Sequence, residues 1–453
     1  MKIDVHLDEL TRHPDGLAKV TVDVPDLELQ RELDLPFADL HRRCGVPDDV
    51  TLDLLMVASI CYVIDKTVPR KSAFDRWTRT LEVNIPVSSP KKWQKLAGEL
   101  NRALAFLTGD EWQVTFREAE TAFFCEPVQK LRRKRNPQAL EIVTAVCLFS
   151  GGLDSLIGAI DLLAGDSTAS VRLVGHYDAA GPASSQHELF TALEKQYPRR
   201  ADLLQVRVSH KPLKAKESTL RSRSLLFMAL GIFAARAAGE QIPLYASENG
   251  LIAINVPLTP SRSGACSTRT MHPFFLDKLR TVLSGIGISN QIINPFELKT
   301  KGECVAQCLN RQLLDGLVET SVSCSHPTRK QHWQRRSKEV RNCGYCVPCL
   351  IRRAALHKAG LDAAQKYGID VCEEELNYDD DLESADDFRA VLDMLNHHKT
   401  AAEFKQDILS VASVSLLNER AEMVARGFDE IRLLVQHKGS KSILKAANAV
   451  NAG

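Results

Sequence analysis

The stretch Val143-Thr-Ala-Val-Cys-Leu-Phe-Ser150-Gly151-Gly152-Leu153-Asp154-Ser155-Leu-Ile-Gly-Ala-Ile-Asp-Leu-Leu163 decides the fold class. Its first half is a short apolar run typical of a strand buried on both faces, and its second half has apolar residues at helical spacing. Two adjacent glycines between strand and helix let backbone N–H groups approach a phosphate, and the first helical turn adds unpaired donors. The stretch therefore predicts an anion site, to which the hydroxyls of Ser150 and Ser155 can also donate.

Two better-known phosphate loops do not fit this stretch. A Walker loop needs a lysine directly after its last glycine, and a dinucleotide fingerprint needs Gly-x-Gly-x-x-Gly. The structural alternative is a helix that merely begins with a Gly-Gly turn and a serine or aspartate cap.

The composition sets limits on the class of protein. A chain of 453 residues with a formal charge of +1 has room for two or three domains and offers no strong field for nucleic acid or anionic lipid. No apolar run approaches the roughly 20 residues that cross a bilayer, and the N-terminus lacks a signal-peptide pattern, so we expect a cytoplasmic protein without membrane contact. Twelve cysteines are too sparse for a disulfide scaffold, and clustered ones more often hold metal in a reducing compartment.

Residues 1–138 are predicted to form an α+β accessory domain without a catalytic constellation, for which partner docking is the default role. The basic segment 129–137 is a solvated linker or a local nucleic-acid contact, so nucleic-acid binding stays open. The predicted elements are strands at 2–7, 18–24, 79–86 and 112–117 and helices at 51–63 and 93–107.

Residues 139–360 alternate between strand and helix signals, which predicts a doubly wound parallel sheet. Because ligands bind beyond the carboxyl ends of such strands, the loops after 149, 177, 209 and 247 should converge on one pocket, with Tyr177 at its edge. Residues 361–453 are predicted to be a helical extension for packing or assembly. The predicted elements after the glycine loop are strands at 170–177, 203–208 and 244–248 and helices at 187–197 and 225–238.

A second pattern lies near the end of the middle domain. Cys343-Gly-Tyr-Cys346-Val-Pro-Cys349 follows Cys324 by nineteen positions, and four thiolates can close a tetrahedral structural zinc site. A redox Cys-x-x-Cys pair and an iron–sulfur cluster remain open as alternatives. Between the cysteines, the basic stretch 329–341 either folds over an anionic ligand or partner or is a solvated loop.

Ser-Gly-Gly-Leu-Asp-Ser at 150–155 resembles the signature of the PP-loop ATP pyrophosphatases. Together with the four cysteines and Arg352, it resembles the QueC (7-cyano-7-deazaguanine synthase) family over about residues 142–360. Arg223 stands where that family has an arginine, with Ser224 replacing an asparagine, and Thr300-Lys301-Gly-Glu303 resembles its Thr-Lys-x-Glu. The long N-terminal domain and the helical tail resemble the QatC branch of QueC-like proteins, a component of a bacterial anti-phage system.

The resemblance implies a PP-loop fold of the HUP type (adenine nucleotide alpha hydrolase-like), with ATP, Mg²⁺ and Zn²⁺ as cofactors. Asp154 would hold Mg²⁺, with helix capping as its alternative role. Arg223 and Lys301 would neutralise the triphosphate, with surface salt bridges as the alternative. The nucleotide-binding candidates are Ser150, Gly151, Gly152, Leu153, Asp154, Ser155 and Tyr177, and the zinc candidates are Cys324, Cys343, Cys346 and Cys349.

The function that these features imply is an ATP-dependent ligase-like reaction. A carboxylate, by resemblance a 7-deazaguanine acid, would attack the α-phosphate with release of pyrophosphate, and an amine, on a partner protein of the same defence system, would then displace AMP. Ammonia as the amine would make a 7-cyano-7-deazaguanine synthase, and tRNA modification is a further alternative. A nucleotide-binding scaffold without turnover is the alternative of another class. The stretch 247–264 departs from the QueC substrate segment and leaves the activated group open.

Overall fold

The computed structural model describes residues 1–8, 16–125, 140–177, 180–212, 217, 221–259, 269–325, 340–373 and 383–448. The basic segment at 129–137 and most of the one at 329–341 lie outside these ranges. The described strands are β1 (Lys2–Leu7), β2 (Val20–Val24), β3 (Leu29–Asp34), β4 (Thr80–Val87), β5 (Glu111–Glu118), β6 (Ala145–Leu148), β7 (Val171–His176), β8 (Ala201–Val206), β9 (Ser209–Lys211), β10 (Leu244–Tyr245) and β11 (Ile292–Ile293).

The α-helices of the described residues lie between and after these strands. They are α1 (Phe37–Cys44), α2 (Asp49–Thr67), α3 (Pro90–Thr108), α4 (Leu153–Gly165), α5 (Ala180–Gln196), α6 (Arg223–Ala238), α7 (Gly250–Ile254), α8 (Pro273–Ile286), α9 (Lys301–Ala306), α10 (Arg311–Leu317), α11 (Val347–Lys358), α12 (Glu383–Asn396), α13 (Ala401–Val411), α14 (Leu417–Lys438) and α15 (Lys441–Ala446). None of them is long and apolar enough to cross a membrane.

A five-stranded sheet carries the glycine loop. Its order is β11-β10-β6-β7-β8, and every strand pair in it is parallel, which confirms the predicted α/β class. The chain runs from β6 outward to β8 and then returns to place β10 and β11 on the other side of β6. The order therefore reverses between β6 and β10, and the crevice at such a reversal is where open α/β sheets bind ligands.

Strand β6 is buried on both faces of this sheet, as its continuous apolar run predicts. Val146 and Leu148 belong to a core that also contains side chains of α2 and α6, whereas Cys147 and Phe149 belong to a second core with α4. Alternate residues of a strand point to opposite faces, so the two cores lie on the two sides of the sheet. The glycine loop thus leaves the centre of a sheet that is held on both faces.

The N-terminal region forms a six-stranded mixed sheet of order β5-β4-β1-β2-β3-β9. Its last strand, β9, comes from the chain segment after β8 of the parallel sheet and pairs antiparallel with β3. One core cluster contains buried side chains from both sheets, among them Val22 and Leu81 of the mixed sheet and Leu148 and Val174 of the parallel sheet. Deleting the N-terminal region would therefore expose the core of the parallel sheet.

Strand β10 is shorter than the strand predicted at 244–248. Its ladder ends after Tyr245, and the side chain of Asn294 then satisfies the backbone of Glu248. Asn294 Oδ1 accepts from the Glu248 N–H at 3.2 Å, and its Nδ2 donates to the Glu248 carbonyl at 2.8 Å. Because a side chain replaces the strand partner, Glu248 lies off the sheet edge, beside the glycine loop.

The C-terminal region is helical, as predicted, from α12 to α15. Its apolar side chains form a third core together with α7, α11 and three of the four clustered cysteines. Helix α14 crosses both α11 and α9. The C-terminal helices consequently pack against the elements that carry the cysteines and Lys301.

Candidate functional site

The glycine loop lies between β6 and α4, at the point where the strand order reverses. Gly151 has φ +83°, a left-handed conformation that favours glycine, and a Cβ there would lie 3.3 Å from Gln186 Cγ. The Gly151 carbonyl accepts from the Val322 N–H at 2.9 Å, and Gln186 Nε2 donates to the Ser150 carbonyl at 3.3 Å. These contacts fix the carbonyl groups, so that the loop has one defined shape.

The backbone N–H groups at the start of α4 donate hydrogen bonds to serine hydroxyls. The Gly152 N–H donates to Ser150 Oγ at 3.2 Å, and the Leu153 N–H donates to Ser323 Oγ at 3.3 Å. Ser150 Oγ and Ser155 Oγ are 3.2 Å apart, and Ser155 Oγ also donates to the Gly152 carbonyl at 3.0 Å. A phosphate oxygen is a stronger acceptor than a hydroxyl for such N–H groups, because it is charged and lies at the positive end of the helix dipole.

Asp154 does not cap α4, which excludes the alternative role that the sequence left open for it. Its Oδ1 accepts from Lys301 Nζ at 2.6 Å, and its Oδ2 accepts from Asn249 Nδ2 at 2.7 Å. Lys301 is buried, so the surface salt bridge that was its alternative is replaced by a buried pair. A lysine ammonium has three donors, and Asp154 takes one of them.

The helix that presents Lys301 is anchored by the C-terminal region. Glu430 of α14 is buried and accepts from Thr300 Oγ1 at 2.5 Å and from the Gly302 N–H at 3.1 Å. Thr300 also forms a capping box with Glu303 at the start of α9. A carboxylate at this N-terminus complements the helix dipole and fixes the first turn. The C-terminal extension therefore helps to position Lys301.

Glu248 adds a second acidic group beside Asp154. The residue as a whole is half-buried, but its Oε1 is shielded from solvent and has no hydrogen-bond donor among the described residues. Burial, and then the nearby Asp154 carboxylate, raise the pKa of Glu248 to about 8. A buried polar atom without a partner needs an explanation in a native protein, and a bound ligand or ion is one such explanation.

Arg223 and Tyr177 lie at the carboxyl end of β7, one strand away from the loop. Arg223 Nε donates to His176 Nδ1 at 3.0 Å, and its Nη2 donates to the His176 carbonyl at 2.8 Å. Gln186, whose Nε2 is 3.3 Å from the Ser150 carbonyl and 3.5 Å from that of His176, joins this end of β7 to the loop. Tyr177 lines a cleft of about 270 Å³ with Asp34, Pro36, Asp39, Leu40, Gln205, Val206 and Arg207.

The segment after α10 forms the other side of the loop. Arg352 of α11 donates to Ser321 Oγ at 2.9 Å, to Ser323 Oγ at 3.3 Å and to the Val318 carbonyl at 2.5 Å. The Ser323 N–H donates to Asn342 Oδ1 at 3.0 Å. Ser323 and Asn342 directly precede Cys324 and Cys343, so the cysteine group is joined to the glycine loop through a few residues.

The four predicted metal ligands come together. The sulfur atoms of Cys324, Cys343, Cys346 and Cys349 all lie within 4.8 Å of one another. The sulfurs of Cys343 and Cys349 are 3.7 Å apart, close to the edge of about 3.8 Å that a tetrahedron with Zn–S bonds of about 2.3 Å requires. Gly344, in the turn between Cys343 and Cys346, has φ +92°, and a Cβ there would lie 2.1 Å from the Ile369 carbonyl oxygen. The group fits a closed structural metal site.

Three residues of this site were not among the predicted site residues. Asn249 donates to Asp154, Glu248 lies near Asp154, and Ser323 accepts from the Leu153 N–H, so all three reach the loop from distant positions in the sequence. Polar residues directly after a parallel strand were a usable signal for Glu248 and Asn249. Ser323 offered only its position next to Cys324.

Comparisons of the chain with protein-family models, with characterised proteins and with solved structures give no match. The class of protein is therefore defined by the fold and the site alone. The chain is an α/β protein whose parallel sheet presents a glycine loop where the strand order reverses, and it contains a four-cysteine group that could hold a metal ion such as zinc.

Proposed function

We propose that this protein is an ATP-dependent adenylating enzyme of the PP-loop type. The observation that carries the proposal is the surroundings of the glycine loop. Several hydrogen-bond donors lie at the loop, where the strand order of the parallel sheet reverses. They are the backbone N–H groups at the start of α4, the hydroxyls of Ser150 and Ser155, and the ammonium of Lys301, which is bound to Asp154. Such a set of donors suits a polyphosphate.

In the proposed reaction a carboxylate oxygen of the acid attacks the α-phosphorus of ATP. A new oxygen–phosphorus bond forms, the bond between the α-phosphorus and the bridging oxygen breaks, and pyrophosphate leaves with the electron pair. The loop amides and Lys301 stabilise the charge that accumulates on the leaving group. The resemblance of the chain to QueC supports a 7-deazaguanine acid as the group that is activated.

The carboxyl groups beside the loop fit a hard cation. Asp154 and Glu248 would hold Mg²⁺, because carboxylate oxygens are its preferred protein ligands and Glu248 Oε1 has no donor among the described residues. When bound, Mg²⁺ neutralises part of the triphosphate charge. The four cysteines would hold zinc in a structural role, since a closed tetrahedral site has no open position for substrate.

The second step of the proposed reaction is attack by an amine on the acyl-adenylate. The amine nitrogen bonds to the acyl carbon, AMP leaves with the electron pair of the broken carbon–oxygen bond, and the amine loses a proton. An N-terminal α-amine of a partner protein suits this step, because its pKa of about 8 leaves a neutral fraction near pH 7 that a lysine at about 10.4 lacks. Docking such a partner raises the effective concentration of its amine, which for well-oriented groups reaches the order of 10⁵ M or more.

The mixed sheet carries a surface that suits docking. Phe74 is fully exposed and Trp77 is 45% exposed on the turn between α2 and β4, beside the exposed Lys71 and Arg76. Asp75 Oδ1 accepts from the Trp77 and Thr78 N–H groups and fixes the shape of this turn. A preformed turn with aromatic and basic side chains loses little freedom on binding.

The adenylation step is tested by ATP–pyrophosphate exchange with 7-carboxy-7-deazaguanine and the full-length protein. We expect exchange in the wild type and a loss of about 100-fold or more in Ser150→Ala, because one lost donor to a developing charge costs this much. Ser410→Ala, an exposed serine of α13, is the matched control and should exchange normally. Normal exchange in Ser150→Ala would remove the loop from the mechanism.

The transfer step is tested by mass spectrometry of the purified protein together with its co-purifying partner, ATP and the same acid. We expect a mass adduct on the partner in the wild type and in Leu409→Ala, and less of it in Phe74→Ala with pyrophosphate exchange unchanged. Leu409 is an exposed apolar residue on α13 and serves as the control. Free turnover with ammonia and no partner adduct would instead identify a 7-cyano-7-deazaguanine synthase.

A further inference from the structure

Arg352 and Arg353 are adjacent on α11 and both are buried, but their charges are balanced in different ways. Arg353 donates to Asp370 Oδ1 at 2.6 Å and to Asp362 Oδ2 at 3.3 Å. Arg352 is 2% exposed, and its described partners are two serine hydroxyls and a backbone carbonyl. A buried charge is costly without a counter-charge, and no carboxylate is among these hydrogen-bond partners, so Arg352 has capacity for an anion.

The contacts of Arg352 lead to the glycine loop. Ser323 Oγ accepts from Arg352 Nη1 and from the Leu153 N–H, both at 3.3 Å. Leu153 is the first residue of α4, so the guanidinium is separated from the start of that helix by one hydroxyl group. The hydroxyl of Ser323 accepts two hydrogen bonds and keeps its own hydrogen to donate.

We propose that Ser323 and Arg352 form a second wall of the anion site, one that binds the pyrophosphate portion of the nucleotide. This inference rests on the proposed function and adds residues to the same site. Ser323 donates its hydroxyl hydrogen to a phosphate oxygen, while its Oγ continues to accept from the Leu153 N–H. Arg352 is a positioning residue that holds Ser321 and Ser323 in place and adds positive charge behind them.

The competing role for Arg352 is to balance the charge of the cysteine group. Four thiolates around Zn²⁺ carry a net charge of about −2, and Arg352 follows Cys349 by one helical turn. The two roles predict different losses. An arginine that serves the metal would lose zinc when it is replaced, whereas one that serves the anion site would lose affinity for pyrophosphate with the zinc retained.

The experiment is titration calorimetry of the full-length, zinc-loaded protein with pyrophosphate and, separately, with AMP, both with Mg²⁺. Ser323→Ala and Arg352→Gln should each weaken pyrophosphate binding by about 10- to 100-fold, because each loses a hydrogen bond or a charge directed at an anion. AMP binding should stay within about twofold, since AMP has no β- or γ-phosphate. Arg352→Lys, which keeps the charge, should recover part of the affinity.

Arg353→Gln is the matched control, because it removes a neighbouring buried guanidinium that is already paired with Asp362 and Asp370. If Arg352→Gln fails to fold, Ser323→Ala decides alone, since it leaves the Arg352 contacts with Ser321 and Val318 intact. Unchanged pyrophosphate affinity in Ser323→Ala, or loss of zinc in parallel with affinity in Arg352→Gln, would overturn the inference. A wild type that does not bind pyrophosphate in the presence of Mg²⁺ would overturn the proposed function itself.

Discussion

The ion-pair cluster beneath the turn at 68–79 and the ionisable groups around the glycine loop both contain atoms shielded from solvent, yet they differ in how completely these groups are paired. In the first, Arg79 contacts Asp65 at 2.6 Å and Asp110 at 2.5 Å, and Arg70 contacts Asp110 at 2.9 Å. Backbone carbonyls of the same region accept further guanidinium hydrogens of both arginines. This cluster is complete without a ligand.

The groups around the glycine loop are incomplete by the same test. Glu248 Oε1 has no donor among the described residues, and Arg352 has only neutral partners there. Most buried polar groups in native proteins have a partner, and a bound ligand or ion is one explanation for a group that lacks one. The comparison teaches that the two regions differ in what they have left to bind: Glu248 and Arg352 can still take up an ion or an anion, whereas the carboxylates of the first cluster are already bound to arginines.

The largest effect is expected from the cysteine group, where a metal completes the cluster. Cys346→Ser should lose about one zinc per chain together with much of the stability of the C-terminal helices, because structural metal binding is folding free energy and three of the cysteines belong to that core. Elemental analysis and thermal melting measure both losses. Cys125→Ser changes an exposed cysteine and should alter neither. A metal-free protein with normal melting would end the zinc assignment.

The next effect tests the complete cluster. Asp110→Ala should lower the free energy of unfolding by about 3–5 kcal/mol, because it leaves Arg79 and Arg70 buried with one carboxylate between them. Urea denaturation measures the change, and Glu111→Gln at the neighbouring exposed position should stay within about 0.5 kcal/mol. A loss below about 1 kcal/mol would show that the paired cluster does not support the fold.

His272 is expected to cause a loss of stability of intermediate size as the pH falls. Burial, and then Arg269, lower the pKa of this histidine to about 3, whereas in the unfolded chain it titrates near its ordinary value of 6.5. The unfolded chain therefore binds the proton first, and stability declines as pH falls below 6.5, by about 2 kcal/mol at pH 5. Its Nδ1 caps α8 by accepting from the Phe274 N–H, a role that asparagine can keep. His272→Asn should reduce the difference in unfolding free energy between pH 7 and pH 5, and an unchanged difference would contradict this reasoning.

The smallest effect sharpens the comparison at the site itself. Glu430→Gln should lower the free energy of unfolding by about 1–2 kcal/mol, because it weakens the charged hydrogen bonds to Thr300 and Gly302. We also expect slower pyrophosphate exchange, since Lys301 follows Thr300 directly. Asp429→Asn, at the adjacent exposed position, is the control for both measurements. Normal pyrophosphate exchange in a destabilised Glu430→Gln variant would show that the C-terminal helices stabilise the fold without contributing to the reaction.

Much of the fold could be read from the sequence, because periodicity and glycine placement are local signals. The strand before the glycine loop, the helix after it, the alternation that follows and the four cysteines all have such signals. The pairing of β9 with β3 and the contact of Glu430 with Thr300 have none, since they join distant segments. The early end of β10 also depends on a distant residue, Asn294, whose side chain takes the place of a strand partner.

The candidate site divides in the same way. Ser150, Asp154, Ser155 and Lys301 stand in quotable motifs, and the structure brings Asp154 and Lys301 into direct contact. The incomplete pairing of Arg352 and Glu248 is invisible in the sequence, because whether a charge is paired depends on which other segments pack against it. The neighbouring Arg353 has the same residue type and nearly the same burial, and it is fully paired.

The most direct test of the claim that the groups around the glycine loop form a ligand site is titration calorimetry of the full-length protein with ATP and Mg²⁺. We predict saturable binding at one site per chain, a loss of at least about tenfold in affinity in Lys301→Met, and unchanged affinity in Arg76→Ala, an exposed arginine beside the paired cluster. Absence of ATP binding to the wild type, or equal affinity in Lys301→Met, would contradict the account.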